Sequence, residues 1–322
     1  KTNTYPSVFP EIELITIDGK NLAIISVPEQ PIKPIAFKNK YFKRVQNSNH
    51  IMSLDEIANE HLKTINSSWD YHIDSRHGFN DISMDKINSF IKRIEKYRDK
   101  QFDEDPLSIL HKFELLKDGQ LTFAAYLLFV DNVSAITSMQ TGRFKSETKI
   151  IDNLDVNTDL FTQVDEVIGF IKKHLMVEYV ITGSPEREER YDYPLEAIRE
   201  IVINMIVHRD YRDSGNSIIK IFDDRIEFFN PGKLYGNLTI ESLLSGNYSS
   251  RARNRAIANM FKECGVIERY GSGIKRIVNA CKGHGLKAPI IEEFQHGFMV
   301  TLYKETAQET AQETAQETAQ ET

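Results

Sequence analysis

Glu200, Asn204 and His208 stand four residues apart in the stretch PLEAIREIVINMIVHRDY, residues 194–211. Four residues is slightly more than one helical turn, so a helix would set the three side chains along one stripe. A carboxylate, a carboxamide and an imidazole in a row could order a metal ion, a water or a phosphate. They could equally be the solvated edge of a core helix. Two later signals join them. Asn230-Pro231-Gly232 closes a β-type run, and Gly271-Ser272-Gly273 introduces a helical pattern. The free N–H groups and dipole of a helix start favour a phosphate. Each signal alone is as well read as a tight turn or ordinary helix polarity; their fixed order is the stronger observation. A fourth candidate lies far upstream. Lys38-Asn39-Lys40-Tyr41-Phe42-Lys43-Arg44 interleaves four positive charges with two aromatics. That mix suits backbone phosphates and base stacking, or else a strand edge guarded by lysines.

The elements that must position these residues are legible in outline. Pro194 can open a helix, and Leu195, Ile198, Ile201, Val202, Met205 and Ile206 then recur at helical spacing. His208 falls at the end of that helix, where the dipole favours a positive charge, and Arg209 and Asp210 turn the chain onward. His208-Arg209-Asp210 is not read as a kinase loop, because no glycine-rich loop, β3 lysine or Asp-Phe-Gly accompanies it. Ser217–Phe222 and Arg225–Phe229 predict a hairpin around Asp223-Asp224. Ser245–Arg255 predicts a polar loop whose Arg251, Arg253 and Arg255 could meet phosphate or bridge to acidic loops. Ala256–Cys264 predicts a helix closed by Gly265, and Phe298–Tyr303 a last strand.

Upstream, Glu11–Asp18 and Asn21–Val27 predict a hairpin across Gly19-Lys20. Ser53 and Glu56 form a capping-box pattern before a short helix, and Met84–Lys100 predicts an amphipathic helix. Helices follow at Pro106–Leu116, Thr122–Val130 and Asn157–Leu175. Strands follow at Ala135–Gly142 and Val177–Gly183, and an exposed charged loop at Ser184–Tyr193.

Composition bounds the function. The 322 residues suit about two domains. The formal charge is −7, but five glutamates of the C-terminal tail lack basic partners, so the body carries −2. A globally basic nucleic-acid binder is excluded, while a local basic patch is not. Cys264 and Cys281 are far apart with no CxxC pairing, which predicts reduced thiols and a cytoplasmic setting rather than disulfides or zinc. No apolar run approaches the roughly 18 residues of a membrane span, so no membrane partner is expected. No G-x-x-x-x-G-K-[ST] loop supports a P-loop motor. The chain opens on Lys1 rather than Met, which predicts a fragment of a longer protein. From Glu305 ETAQ repeats at a period of four, which predicts a disordered linker.

The order E-x-x-x-N on a helix, N-x-G after a strand and G-x-G before a helix resembles the Bergerat (GHKL) ATP-binding fold of gyrase, histidine kinases and MutL. The resemblance implies that Asn204 holds Mg²⁺ against the phosphates and that Glu200 positions or activates water. It also implies that a later Asp-x-Gly holds the adenine amine and that a glycine-rich loop, here Gly271 and Gly273, wraps the triphosphate. Asn230 stands where that family has Asp. A narrower resemblance rests on EAIREIVINMIVHRDY, DDRIEFFNPGKL, SRARNRAIANMF and IERYGSGIKRI. Together these are similar to the C-terminal domain of RecG-helicase-related transcriptional regulators, in which Asn-Pro-Gly, with Asn230 and Gly232, is the expected form. AFKNKYFKRVQNSNHIMS, Ala36–Ser53, resembles the end of the Schlafen/AlbA-type DNA-binding domain, implying that Lys40, Lys43 and Arg44 face DNA.

The expected chain is α/β (α+β). Residues 1–54 are the end of a Schlafen/AlbA-type domain and 55–106 a helical connector. Residues 107–304 are a GHKL-like sandwich and 305–322 a linker. The expected function is a bacterial DNA-binding transcriptional regulator whose C-terminal domain binds a nucleotide or mediates assembly. The alternatives are a Mg²⁺-dependent ATPase using Glu200, or a non-catalytic scaffold in which the stripe is buried in a homodimer interface.

Overall fold

The computed structural model describes residues 3–5, 8, 10–27, 33–64, 68–132, 134–180, 188–235, 238–246, 248, 251–267 and 273–304. Gly271, the ETAQ tail, the end of the expected strand (residues 181–183) and the start of the expected charged loop (residues 184–187) lie outside the described residues. The chain divides into two compact units, Lys1–Trp69 and Asp70–Thr322.

In the first unit the β-branched run around Gly19-Lys20 folds as a hairpin of β2 (Glu11–Ile17) and β3 (Lys20–Ser26), after a short β1 (Thr4–Tyr5). Then β4 (Ala36–Phe37), β5 (Lys40–Val45) and β6 (Ser48–Ile51) join β1 in a sheet of order β1-β4-β5-β6. The Ser53 capping box starts α1 (Leu54–Thr64). Ser53 Oγ accepts from Glu56 N–H at 3.3 Å, and Glu56 Oε2 accepts from Ser53 N–H at 2.9 Å.

The second unit begins with α2 (Met84–Arg98), α3 (Pro106–Lys112), a small β7 (Leu116–Lys117) and β8 (Gln120–Leu121) hairpin, and α4 (Phe123–Phe129). All of α4 beyond its first residue is buried, as its unbroken apolar run requires. Ala135–Thr137, where a strand was expected to start, is a 3₁₀ turn; Thr137 turns its hydroxyl back to the Ser134 carbonyl at 3.0 Å. The strand β9 (Met139–Ser146) starts after it and pairs with β10 (Lys149–Val156). After α5 (Leu160–His174) come β11 (Val177–Val180) and β12 (Glu188–Tyr191), which pair with each other. The second half of the expected charged loop is therefore a strand.

The remaining elements are α6 (Leu195–His208), β13 (Ser217–Ile221), β14 (Arg225–Pro231), α7 (Ile240–Ser245), α8 (Arg255–Glu263), α9 (Gly273–Gly283), β15 (Ile290–Phe294) and β16 (Gly297–Tyr303). Six strands form one mixed sheet of order β10-β9-β13-β14-β16-β15, parallel at β9–β13 and antiparallel elsewhere. Its register lines up Thr141, Ile219, Phe228, Val300 and Ile291, all buried, across five strands. The alternating burial of β13 and β14 leaves that face as the inner one. The chain is α+β, and α6, packed against α5 and α9, is its central helix. Among the described residues no helix is long and apolar enough to cross a membrane.

Candidate functional site

Helix α6 owes its end to side chains from later in the chain. The last carbonyls of a helix lack intrahelical donors. Here Met205 O accepts from Asn230 Nδ2 at 3.0 Å, Ile206 O from the Tyr211 hydroxyl at 3.0 Å, and Val207 O from Asn254 Nδ2 at 3.0 Å. His208 O takes Arg253 Nε at 3.0 Å, and Arg209 O takes a second bond from Asn254 Nδ2 at 2.8 Å. Four side chains thus form a collar around the helix end. Arg209 itself is buried and donates to Ser138 O at 2.6 Å and Gly215 O at 3.0 Å, tying β9 to the loop before β13. Asn254, the residue before α8, spends its amide on α6, and the Asp70 carboxylate caps α8 instead, accepting from Ile257 N–H at 2.9 Å.

Above this collar lies a cavity of about 470 Å³, within the usual range for ligand sites. Glu200, Asn204, His208, Asn230, Gly232 and Gly273 all line it. Sequence reasoning had drawn these residues from three separated motifs, and the fold brings them to one wall. Asn204 Nδ2 donates to Glu200 Oε1 at 3.3 Å, and Arg276 of α9 donates to Glu200 Oε2 at 2.7 Å. Both carboxylate oxygens are therefore engaged. Asn204 Oδ1 is left free among the described residues, and an oxygen is what Mg²⁺ asks of a protein that supplies one or two ligands beside phosphates. No group of three or more His, Cys, Asp or Glu among the described residues could hold a metal without such help. Asn204 therefore fits the role of a single protein ligand to a nucleotide-borne ion.

Both glycines stand at close approaches, and Gly232 is also held to a backbone conformation that favours glycine. A Cβ on Gly273 would lie 2.2 Å from Glu200 Oε1 and 3.2 Å from Asn204 Nδ2, so the start of α9 sits directly against the pair. Gly232 has φ of +100°, and its Cβ would meet Asp210 Cβ at 2.9 Å.

Asn230 has a different surrounding from its neighbours. It is 4% exposed, and besides its bond to Met205 O it accepts from the Ser217 hydroxyl at 2.7 Å. The side chain locks β13, β14 and α6 together. His208 is also unlike the sequence expectation. Burial first, and the nearby Arg253 charge second, push its pKa down to about 4. The ring is neutral near pH 7 and carries no charge for the helix dipole to favour.

The rest of the wall is divided between apolar and cationic groups. Ile201, Met205, Phe228, Leu243, Ile277 and Val300 supply the apolar part. Lys233, Arg251 and Lys262 line the same space, and their side chains form no ion pair among the described residues. Arg253, also in the wall, is held at Asp210 Oδ2 at 3.2 Å. Of the three loop arginines, Arg251 lines the cavity with no ion pair among the described residues, and Arg253 is structural. Sequence reasoning missed Lys233, Lys262 and Arg276; the helical spacing of Arg276 from Gly273 was the one available signal. A second, more open cleft of about 700 Å³ lies between α6 and α9 and is also lined by Glu200 and Arg276.

In the first unit, β5 distributes the basic trio over two faces, because side chains alternate along a strand. Lys40 and Arg44 share a face with Phe42, while Lys43 points the other way and pairs with Glu56 of α1.

Residues 215–302 match the family described as "Putative ATP-dependent DNA helicase recG C-terminal". Over these residues the C-terminal part of the chain is similar to that RecG-related, HATPase-type family. The match starts after α6, so it includes Asn230, Gly232 and Gly273 but not Glu200 or Asn204. No curated protein sequence matches the chain. Among solved structures, the fold is similar to that of the DIP2311 protein from Corynebacterium diphtheriae, with a TM-score of 0.62 and 20% identity. The similarity covers 92% of this chain and 59% of that one, so this chain spans about three-fifths of that protein.

Proposed function

We propose that the C-terminal domain, residues 107–304, binds an adenine nucleotide with Mg²⁺, and that the protein is a cytoplasmic DNA-binding regulator responding to that nucleotide. The reading is carried by one observation: Glu200, Asn204, Gly232 and Gly273 converge on a cavity with an apolar wall and three cations that form no ion pair among the described residues. An apolar slot suits a flat base, and cations suit phosphates. Asn204 Oδ1 would hold Mg²⁺, which would neutralise phosphate charge when bound.

Binding without turnover is favoured over hydrolysis. Each oxygen of Glu200 already accepts a hydrogen bond, one from Asn204 and one from Arg276, which commits the carboxylate to holding α6 against α9. Calorimetry with Mg²⁺·ATP on the wild type and on Asn204→Ala tests the reading. Heat from the wild type that is lost or weakened in the variant supports it. Two silent titrations, or two equal ones, remove Asn204 as the ligand.

DNA binding is supported by the exposed strand β5, with Lys40 and Arg44 on one face. Salt-sensitive binding of labelled DNA is expected; absent or salt-insensitive binding removes this part.

A further inference from the structure

The basic strand β5 belongs to an open, acid-free sheet face, and its composition goes further than phosphate contact. Directly opposite residues of an antiparallel pair share a face. Phe37 pairs with Lys40, Phe42 with Ile51, and Arg44 with Asn49. One face of β4-β5-β6 therefore carries Phe37, Lys40, Phe42, Arg44, Asn49 and Ile51. None of the six is acidic. Phe37 is 46% exposed, Phe42 40% and Ile51 61%, which leaves two aromatic rings and a branched aliphatic without cover. Lys38 holds its ammonium 5.5 Å from the Phe37 ring centroid, adding a third cation beside this surface. Arg44 Nη1 donates to Asn49 Oδ1 at 2.9 Å, a neutral partner that leaves the guanidinium charge uncompensated. Among the described residues the one ion pair of the basic trio joins Lys43 to Glu56, on the opposite face.

Exposed aromatic rings on neighbouring strands, bordered by cations, match what unpaired bases need. Each base has two stacking faces and a phosphate beside it. Duplex DNA offers phosphates but keeps its bases stacked on one another. Contacts limited to phosphates would use Lys38, Lys40 and Arg44 and leave both phenylalanines exposed to water. We infer that the Phe37–Phe42 face of this sheet binds single-stranded nucleic acid, with Phe37 and Phe42 as stacking platforms and Lys38, Lys40 and Arg44 on the phosphates. This rests on the nucleic-acid reading above and narrows it to unpaired strands.

The test uses the full 322-residue chain and fluorescence anisotropy with a labelled oligo(dT) of about twelve nucleotides, a usual site size, and with a mixed-sequence duplex of equal length. The single strand is expected to bind more tightly. Phe37→Ala/Phe42→Ala should weaken it by about tenfold or more, within the range for lost base stacking, and leave duplex binding unchanged. Phe42→Tyr, which keeps a ring, should retain binding. Lys40→Ala should weaken both probes and reduce the salt slope by about one. Both phenylalanines are exposed, and an unchanged circular dichroism spectrum verifies folding. Equal or tighter duplex binding, or a double variant that binds oligo(dT) like the wild type, overturns the stacking inference and leaves the nucleic-acid reading standing. No binding of either probe overturns both.

Discussion

Replacing Asn230 by Asp restores the residue that the GHKL resemblance expects and separates two roles for this side chain. As a staple, Asn230 donates to Met205 O at 3.0 Å and accepts from Ser217 Oγ at 2.7 Å in a place only 4% exposed. A carboxylate keeps the Ser217 bond but turns an oxygen towards the Met205 carbonyl. The lost bond is worth about 1 kcal/mol, and desolvating a charge against a carbonyl adds more, so a cost of about 2–4 kcal/mol is expected for Asn230→Asp near pH 7. Met205 O keeps its bond from Arg209 N–H at 2.9 Å, which argues against a larger figure. For a unit of this size the midpoint of thermal unfolding should fall by about 6–12 °C. The sign of the pH dependence is a further signature. Protonated, the new carboxyl can donate to Met205 O, so its folded pKa lies above the unfolded value near 4. Between the two, the folded state holds a proton that the unfolded chain has released, and stability falls as pH rises. The cost should therefore be smaller at pH 5 than at pH 7.5. Asn230→Ala, which has no titrating group, should be destabilised by a similar amount at both. Thermal and urea unfolding at the two pH values reads this directly. A variant as stable as the wild type that binds adenine nucleotide more tightly would refute the staple and make position 230 a base reader.

Three further outcomes follow from the same wall. Gly232→Ala forces a side chain to φ +100° and against Asp210, so it should lose about 2–3 kcal/mol of stability in urea. Gly273→Ala meets the side-chain ends of Glu200 and Asn204; it should leave stability within about 1 kcal/mol but weaken nucleotide binding roughly tenfold by calorimetry. His208, with a folded pKa of about 4 against 6.5, binds a proton only when unfolded in that window. Stability should therefore fall as pH drops from about 6.5 towards 4, and His208→Gln should flatten that part of the profile measured by chemical denaturation.

The residues that create a site and those that hold it are not equally visible in sequence. Helix α6 was legible because its apolar spacing is long and regular, and Gly273 because a glycine before a helical pattern marks a start. The hairpin β13–β14 was legible from alternating Ile and Phe around an Asp-Asp turn. By contrast, β10 is an edge strand, exposed along most of its length, so its sequence needs no apolar alternation to betray it. The strand β12 is built from charged residues and draws its order from pairing with β11. The cap that Asp70 places on α8 joins residues 187 apart, which no local pattern encodes. Arg276 was missed for a similar reason: its meaning comes from Glu200 on another helix. The basic trio was seen, but only the strand register divides it between two faces.

The collar at the end of α6 has a consequence for how the chain acquires its structure. Val207 and Asn254 are 47 residues apart, His208 and Arg253 45, and Met205 and Asn230 25. During synthesis the helix can wind early, but its final turn has no complete set of donors until the loop before α8 has emerged. Contacts of such separation carry loop-closure entropy before they return any stability. The end of α6 is therefore completed by residues made well after the helix itself.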